Sequence, residues 1–219
     1  MGRAAYTRLL LAFAIVSVML FLSAGTVRYW EAWVYLTIML MTTSLSLAYL
    51  LKNSPELLER RMRMREKEPK QRWIIGFAWL WFVATFLVPG FDQRFDGSDV
   101  PVFAVIIAEG FVLLGYGVMF SVFRENPYAS RIIEVEPNQT VVATGPYAVV
   151  RHPMYLGGLL IYLFTPLALG SYWAILPAVF IIPILVARIR NEESLLARDL
   201  EGYREYLRST RYRLIPGIW

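Results

Sequence analysis

Long runs of uncharged, apolar residues constrain this chain more than any other feature of its sequence. The run 9–26 contains no charged side chain, and it reaches the roughly 18 residues that a helix needs to cross a bilayer. Hydrophobic residues make up 57% of the chain and charged residues only 18%, whereas a soluble domain carries about a quarter of charged residues. The sequence therefore predicts an integral membrane protein.

Further apolar segments of similar length follow the first one. The predicted membrane spans are 9–26, 32–51, 73–91, 100–123, 154–170 and 172–189. Only Gly170-Ser171 separates the last two, so we expect a tight antiparallel hairpin of helices. Prolines inside these two segments predict kinks, which membrane helices tolerate where neighbouring helices cover the freed backbone groups.

The polar segments add three smaller elements to this expected fold. Residues 191–208 place Leu196, Leu200, Tyr203 and Leu207 on one face, which predicts an amphipathic tail helix. Residues 131–143 alternate around a turn and favour a small β-hairpin. We therefore expect an all-α, polytopic membrane protein with six transmembrane helices, forming a single domain over residues 1–219.

The loop 52–72 is dense in charge and begins with Ser54-Pro55-Glu56. This tripeptide is typical of a helix start, with a capping serine, a first-turn proline and a first-turn acid. A short basic helix should follow. Two interpretations stay open: an anchor lying on the membrane surface, or an element that contacts a headgroup or substrate.

The distribution of charge predicts the orientation in the membrane. An even number of spans puts both termini, the basic loop 52–72 and the tail on one side, and the acidic loop 92–99 on the other. Since positive loops stay on the cytoplasmic side, we expect both termini to be cytoplasmic, in a bacterial inner membrane. The net charge of +5 then attracts lipid headgroups rather than nucleic acid.

Composition also narrows the chemistry that this chain can perform. There is no cysteine and only one histidine, His152, so disulfides and thiolate chemistry are excluded and a protein-held zinc or haem site is not expected. Glu109 is an ionisable residue inside the fourth predicted span. Such residues are functional candidates, but its position nearer the acidic loop argues against a catalytic role.

The polar stretch 140–155 lies between apolar segments and organises the C-terminal half. Gly145-Pro146 predicts a turn, and His152-Pro153 predicts the start of a helix, because proline suits the first helical turn. Arg151 and His152 would then stand at a helix mouth, where unpaired N–H groups favour an anionic or polar ligand.

Two motifs in this half resemble those of a known family. Gly145-Pro146-Tyr147 followed by Arg151-His152-Pro153-Met154-Tyr155 is similar to the signature of the integral-membrane methyltransferases, which include isoprenylcysteine carboxyl methyltransferases and phospholipid N-methyltransferases. The segments 188–196 and 203–206 extend the resemblance over roughly the C-terminal half. It implies S-adenosylmethionine as cofactor and a lipophilic or lipidated substrate in the membrane.

The resemblance also implies roles for individual residues. It assigns Arg188 to the substrate and Glu192, with Glu193, to the cofactor; we take Arg188, Glu192 and His152 as the catalytic candidates. The positions that it maps onto cofactor binding are Gln139, Thr140, Val141, Val142, Tyr147, Arg151, His152, Pro153, Tyr155, Glu192, Glu193, Gly115 and Gly117. Gln139 stands where the carboxyl methyltransferase pattern has histidine, a departure from that pattern.

Each of these residues also has a structural interpretation. Arg188 and Glu192 are four apart, so they share a helix face and could form an interfacial ion pair. His152 could simply bond at a helix start. Gly115 and Gly117, in a Gly-x-Gly pattern, could serve close helix packing.

The chemistry fits these residue types. Methyl transfer is an in-line displacement on a sulfonium and needs alignment, with no covalent intermediate. A carboxylate acceptor needs no base and could be held by an arginine, whereas an amine acceptor must first lose a proton, to His152 or Glu192. We expect carboxyl O-methylation of a prenylated or lipid-like acid; the alternatives are a phospholipid N-methyltransferase, an NADPH-dependent membrane lipid reductase and a non-catalytic membrane protein.

Overall fold

A computed structural model describes residues 2–63 and 69–219 of the chain, with only the backbone of residues 69–75, 77 and 78. Within those residues the chain is helical, and the all-α prediction is confirmed. The α-helices in chain order are α1 (Gly2–Ala24), α2 (Trp30–Asn53), α3 (Pro55–Met62), α4 (Pro69–Arg94), α5 (Val102–Glu125), α6 (Pro153–Ala168), α7 (Ile175–Val179), α8 (Ile181–Asp199) and α9 (Tyr203–Ser209).

Within the residues that the structure describes in full, the helices α1, α2 and α5 are long and apolar enough to cross a membrane. They confirm three of the predicted spans, 9–26, 32–51 and 100–123. Their outer faces carry side chains such as Leu22, Leu45 and Phe103, which are 73%, 65% and 67% exposed, as expected for surfaces that face lipid. The six-span arrangement stays a prediction, with α4, α6 and the α7–α8 pair in the places of the other three spans.

The last predicted span, 172–189, is not one helix. It is divided at Phe180 into the five-residue helix α7 and the longer helix α8. Pro183 has no N–H to donate to the carbonyl of Val179, so a continuous helix would lose that bond. In the observed arrangement Pro183 lies in the first turn of α8, where no intrahelical donor is needed.

The separate tail helix 191–208 was predicted wrongly. Helix α8 runs through residue 191 to Asp199, and the chain then breaks over Leu200–Gly202 before α9 begins. The break lies at Gly202, whose φ is +79°, a left-handed conformation that glycine adopts without a Cβ penalty. No proline or glycine interrupts residues 189–199, which explains why the helix continues.

The predicted β-hairpin over 131–143 is not formed, since the described residues contain no strand. Residues 136–139 do turn, with the Gln139 N–H donating to the Glu136 carbonyl at 3.1 Å. Two isolated strands are marginal, and side-chain contacts to neighbouring helices hold this segment instead. The loop 52–72 contains α3 as predicted, although residues 64–68 lie outside the described part.

One end of the helical bundle gathers nearly all the polar segments, and we call it the polar end. It contains the start of α1, helix α3, the end of α5, the start of α6 and the end of α8. Direct contacts tie these parts together: Arg8 donates to the Met62 carbonyl at 2.6 Å, and Arg60 to the Pro127 carbonyl at 2.7 Å. At the opposite end, the buried Asp92 accepts hydrogen bonds from Ser98 and Ser171.

Helices α5 and α6 approach each other closely in the core. A Cβ placed on Gly115 would lie 2.7 Å from the Gly157 carbonyl oxygen, and one on Gly157 would lie 2.7 Å from the Gly115 carbonyl oxygen. Phe111 and Phe164 stack nearby with ring centroids 4.2 Å apart. The two glycines therefore permit a backbone approach that any side chain would block.

Gly115→Ala should lower the free energy of unfolding by about 1–3 kcal/mol, because the added methyl overpacks this backbone contact. Gly117→Ala is the matched control, since among the described residues no atom lies within 4 Å of a Cβ built there. Thermal unfolding in detergent measures both. Equal melting temperatures for the two variants would contradict the close-packing account of Gly115.

Candidate active site

A cleft at the polar end is lined by both polar and aromatic side chains. It encloses about 830 Å³, including space open to solvent. Its walls come from the loop after α5, the start of α6, the end of α8, and α9. The lining residues are Asn126, Tyr128, Ala129, Ser130, Ile132, Ile133, Glu134, Gln139, Thr140, Val141, Val142, Tyr147, Arg151, His152, Met154, Tyr155, Arg188, Glu192, Leu196, Leu200, Tyr203 and Tyr206.

The Tyr155 hydroxyl is the meeting point of the two polar groups on α8. Arg188 Nε donates to it at 2.8 Å, and the hydroxyl in turn donates to Glu192 Oε2 at 2.5 Å. The spacing of four residues places Arg188 and Glu192 on one helix face, as predicted. They are joined through Tyr155, and Arg188 also donates to the Arg131 carbonyl at 2.7 Å. The cleft therefore has a guanidinium and a carboxylate held at fixed positions.

The neighbouring acid, Glu193, faces a different set of partners. Its Oε1 lies 3.2 Å from Arg151 Nη1 and 3.4 Å from His152 Nε2, and its Oε2 lies 2.8 Å from Arg213 Nε. Its side chain is 9% exposed. Burial alone raises the pKa of Glu193, but hydrogen bonds from His152 and Arg213 and their charges outweigh it and lower the pKa to about 2. Glu193 is thus a carboxylate that holds three elements together.

Arg151 ties the start of α6 to the C-terminal segment. Its Nε donates to the Thr210 carbonyl and its Nη2 to the Leu207 carbonyl, both at 2.6 Å. The backbone repeats the attachment, because the N–H groups of residues 151 and 152 donate to the carbonyls of Tyr212 and Arg213 at 2.9 and 3.0 Å. His152 caps α6 and Pro153 is its first residue, so the predicted helix start is confirmed.

Tyr147, in the turn before α6, lines the cleft. Asn126 donates to its hydroxyl at 2.8 Å, and the Tyr206 hydroxyl donates to its carbonyl at 2.8 Å. The preceding turn begins at Gly145, where φ is +57° and a Cβ would lie 2.9 Å from the Glu125 carboxyl carbon. Burial raises the pKa of the Tyr147 phenol, so this ring stays neutral and contributes an apolar face with a hydrogen-bonded tip.

Helix α3 holds the outer wall of the cleft in place. Arg63 bonds the carboxylates of Glu134 and Glu136 at 2.7 and 2.6 Å, and Arg61 donates to the Ala129 carbonyl at 2.9 Å. The Arg61 guanidinium also lies 4.4 Å from the Phe123 ring centre. These contacts attach the wall segment 127–136 to α3. They give α3 a structural role beside the cleft, and both interpretations of this basic helix, a surface anchor or an element that contacts a headgroup or substrate, stay predictions.

The structure brings most of the predicted site residues into this cleft. Those that line it are Gln139, Thr140, Val141, Val142, Tyr147, Arg151, His152, Tyr155, Arg188 and Glu192. Glu193 lies behind it with both oxygens bonded within the protein, and Pro153 is buried in the first turn of α6. Gly115 packs against Gly157, and Gly117 is exposed on the outer face of α5.

Sequence reasoning missed several residues of the site. Tyr203 and Tyr206 of α9 line the cleft, and Arg213 pairs with Glu193. The helical spacing of Tyr203 with the leucines of the tail did identify an apolar face, but not what that face covers. Arg213 carries no local signal, because its partner lies 20 residues earlier in the chain.

Replacing Glu193 tests this network. Glu193→Gln should lower the free energy of unfolding by about 3 kcal/mol at neutral pH, since it leaves Arg151 and the half-buried Arg213 without their carboxylate. The pKa of Glu193 is depressed on folding, so its contribution is complete above its ordinary pKa of 4.5 and is lost as the pH falls toward about 2. Glu205→Gln, at an exposed position of α9, is the control.

Denaturant unfolding in detergent at pH 7 and at about pH 3 measures both effects. The difference between wild type and Glu193→Gln should shrink at the lower pH, and Glu205→Gln should follow the wild type at both. A Glu193→Gln variant as stable as the control at pH 7 would show that the network does not hold the site together.

Comparison with known proteins agrees with the geometry. A search of curated proteins returns no match. Residues 103–201, which contain α5, α6, α8 and most of the cleft lining, match the family model described as phospholipid methyltransferase. This family typically uses S-adenosylmethionine. The resemblance to membrane methyltransferases is therefore confirmed by a match that covers somewhat less than half of the chain: residues 103–201 are similar to the phospholipid methyltransferase family.

Proposed function

We propose that this protein transfers the methyl group of S-adenosylmethionine to a lipophilic acceptor in the membrane, and that the acceptor atom is a carboxylate oxygen of a prenylated or other lipid-like acid. The observation that carries this proposal is the chain Arg188–Tyr155–Glu192 along one wall of the cleft. It places a cation and an anion side by side, where the two reactants of a methyl transfer must meet.

The cleft has the groups that the cofactor requires. S-adenosylmethionine carries an ammonium, a sulfonium and ribose hydroxyls, and a carboxylate forms charge-assisted hydrogen bonds with the ammonium or the hydroxyls. Glu192 supplies this carboxylate: its Oε2 is bonded to Tyr155, whereas no described residue hydrogen-bonds its Oε1. The segment 139–142 and the rings of Tyr147 and Tyr206 complete the walls.

Arg188 suits a carboxylate acceptor. Its guanidinium is always charged and presents a planar fork that matches carboxylate geometry, and two of its hydrogen bonds go to neutral oxygens, those of Tyr155 and the Arg131 carbonyl. When bound, the cofactor supplies a methyl group attached to a sulfonium sulfur. The acceptor oxygen forms its new bond to the methyl carbon, and the electron pair of the broken S–C bond stays on sulfur. The carboxylate has no proton to lose, so no base is needed.

A second acceptor is favoured by the family match, whose description names phospholipids. The amine of a lipid headgroup would need to lose a proton, and Glu192 is a carboxylate of the cleft lining, whereas the other one, Glu134, is paired with Arg63. His152 is less suited to this role, because it is 5% exposed and its Nε2 lies 3.4 Å from Glu193. The match to methyltransferases does not support the reductase alternative.

The proposal also covers the orientation of the protein in the membrane and its partners. The polar end would face the cytoplasm of a bacterial cell, where the cofactor is available, and the acceptor would reach the cleft from the bilayer. The proposed reaction requires neither a metal ion nor a nucleic acid. The lipophilic acceptor and the surrounding lipids are the partners that this proposal requires.

Glu192→Ala should weaken the binding of S-adenosylhomocysteine about ten-fold or more, the loss of one or two charge-assisted hydrogen bonds. Isothermal calorimetry on the purified protein measures this affinity, and Glu205→Ala, at an exposed position of α9, serves as the control. NADPH should give no saturable heat with the wild type.

Two results would contradict the proposal. An unchanged affinity in a folded Glu192→Ala variant would remove Glu192 from the cofactor site. Binding of NADPH without binding of S-adenosylhomocysteine would replace the methyltransferase proposal with the reductase alternative.

A further inference from the structure

A second cavity lies between α4 and the α7–α8 pair, on the outer surface of the bundle. We call it the α4–α8 groove. It encloses about 920 Å³, including open space, and all its lining residues are apolar or aromatic, three from α4 and five from residues 176–184. Leu80, Leu176 and Phe180 at its rim are 72%, 64% and 64% exposed, whereas Trp81 at its base is 8% exposed.

Helix α8 connects this groove to the cleft. Phe180, the residue before α8, is followed at intervals of four residues by Ile184, Arg188 and Glu192, and these last three form one stripe along the helix. The first two line the groove and the last two line the cleft. The rise from Ile184 to Arg188 is only about 6 Å, so the apolar part of the stripe ends where the charged part begins.

Tyr155 makes the same connection from the α6 side. Its ring packs against the cluster of Trp81, Ile181 and Leu185, to which Ile184 of the groove also belongs. Its hydroxyl lies in the cleft, bonded to Arg188 and Glu192. The groove and the cleft thus share a wall that is apolar on one side and polar at its tip.

These features together define the occupant. A ligand that fills both sites has a hydrocarbon chain for the groove and a polar end one helical turn farther along α8. Arg188, the first polar residue of the stripe, selects an anionic end. A surface that only contacts bulk lipid would not require a groove with a buried floor, such as Trp81, or a charged residue at its end, such as Arg188.

We infer that the α4–α8 groove binds a single hydrocarbon chain of the methyl acceptor and presents a carboxylate at the end of that chain to Arg188. This inference rests on the proposed function, and it identifies the site and the chemical class of the substrate. Because the chain enters from the bilayer and not from water, each methylene in the groove gains the van der Waals contacts that it makes with the groove walls. Affinity should therefore rise with chain length until the groove is filled.

A photoreactive palmitate with a diazirine at its terminal carbon tests this inference on the full-length protein in detergent. Labelling should be saturable, should map to peptides that contain residues 80–84 and 176–184, and should be displaced by unlabelled palmitate. Saturated acids of increasing length, from eight carbons upward, should compete with rising affinity. Hexadecylamine, with the same chain length and a cationic end, should compete poorly.

Two variants separate the groove from the general lipid surface. Ala84→Phe fills the groove and should lower saturable labelling about ten-fold or more. Ala14→Phe adds the same ring to an exposed position of α1 and should leave labelling unchanged. Non-saturable labelling that is spread over α1 and α5 and insensitive to Ala84→Phe would overturn the inference, as would equal competition by hexadecylamine.

Calorimetry with S-adenosylhomocysteine on the same samples distinguishes a failure of the groove inference from a failure of the proposed methyltransferase function. If wild type and Ala84→Phe both bind the cofactor but the wild type shows no saturable palmitate labelling, only the inference about the groove is rejected. An absence of cofactor binding in the wild type would reject the methyltransferase proposal, and this inference with it.

Discussion

The buried carboxylate of Glu193 is the interaction on which the site depends. It joins Arg151 and His152 at the start of α6 to Arg213 in the C-terminal segment, and so it holds three parts of the chain that are far apart in sequence. Without this carboxylate, the positive charges of Arg151 and Arg213 would lie together beside His152 in a partly buried region, which is costly. Because successive residues on a helix point about 100° apart, Glu193 faces this network while Glu192 faces the cleft.

Glu193 stabilises the structure while the adjacent Glu192 faces the cleft, which explains how the site can be both rigid and open. The network fixes the end of α8, and Tyr155 then fixes the orientation of Arg188 and Glu192 through its hydroxyl. The arginines of α3 hold the opposite wall through Glu134 and Glu136. The reacting groups therefore need little further ordering when ligands bind, which is the condition that favours an alignment-controlled reaction.

The sequence was most informative where one physical requirement dominates. The apolar length needed to cross a bilayer identified α1, α2 and α5, and His152-Pro153 identified the start of α6. The Arg188–Glu192 spacing identified a shared face, since it depends only on helix geometry. Most of the residues mapped onto the cofactor, such as Gln139 and Tyr147, do line one cleft.

Features that depend on distant partners were not predictable. The alternating pattern around residue 137 resembled a hairpin, but arginines of α3 bind that segment instead. The end of α8 depended on Gly202 rather than on the edge of the apolar run. Nothing local separates Glu192 from Glu193, and nothing in Gly115-Tyr116-Gly117 shows that Gly115 meets Gly157 while Gly117 faces outward.

The most direct measurement of the central claim is the transfer of a labelled methyl group. The purified protein is incubated with S-adenosylmethionine labelled in its methyl group and a lipid extract, and the lipid product is then treated with mild alkali. The account predicts a labelled lipid that releases its label as methanol, because a carboxyl methyl ester is cleaved by base. Label that stays in a non-volatile product after alkali would indicate a methylated amine and contradict the carboxylate acceptor. A protein that binds the cofactor but labels no lipid would contradict methyl transfer to lipids.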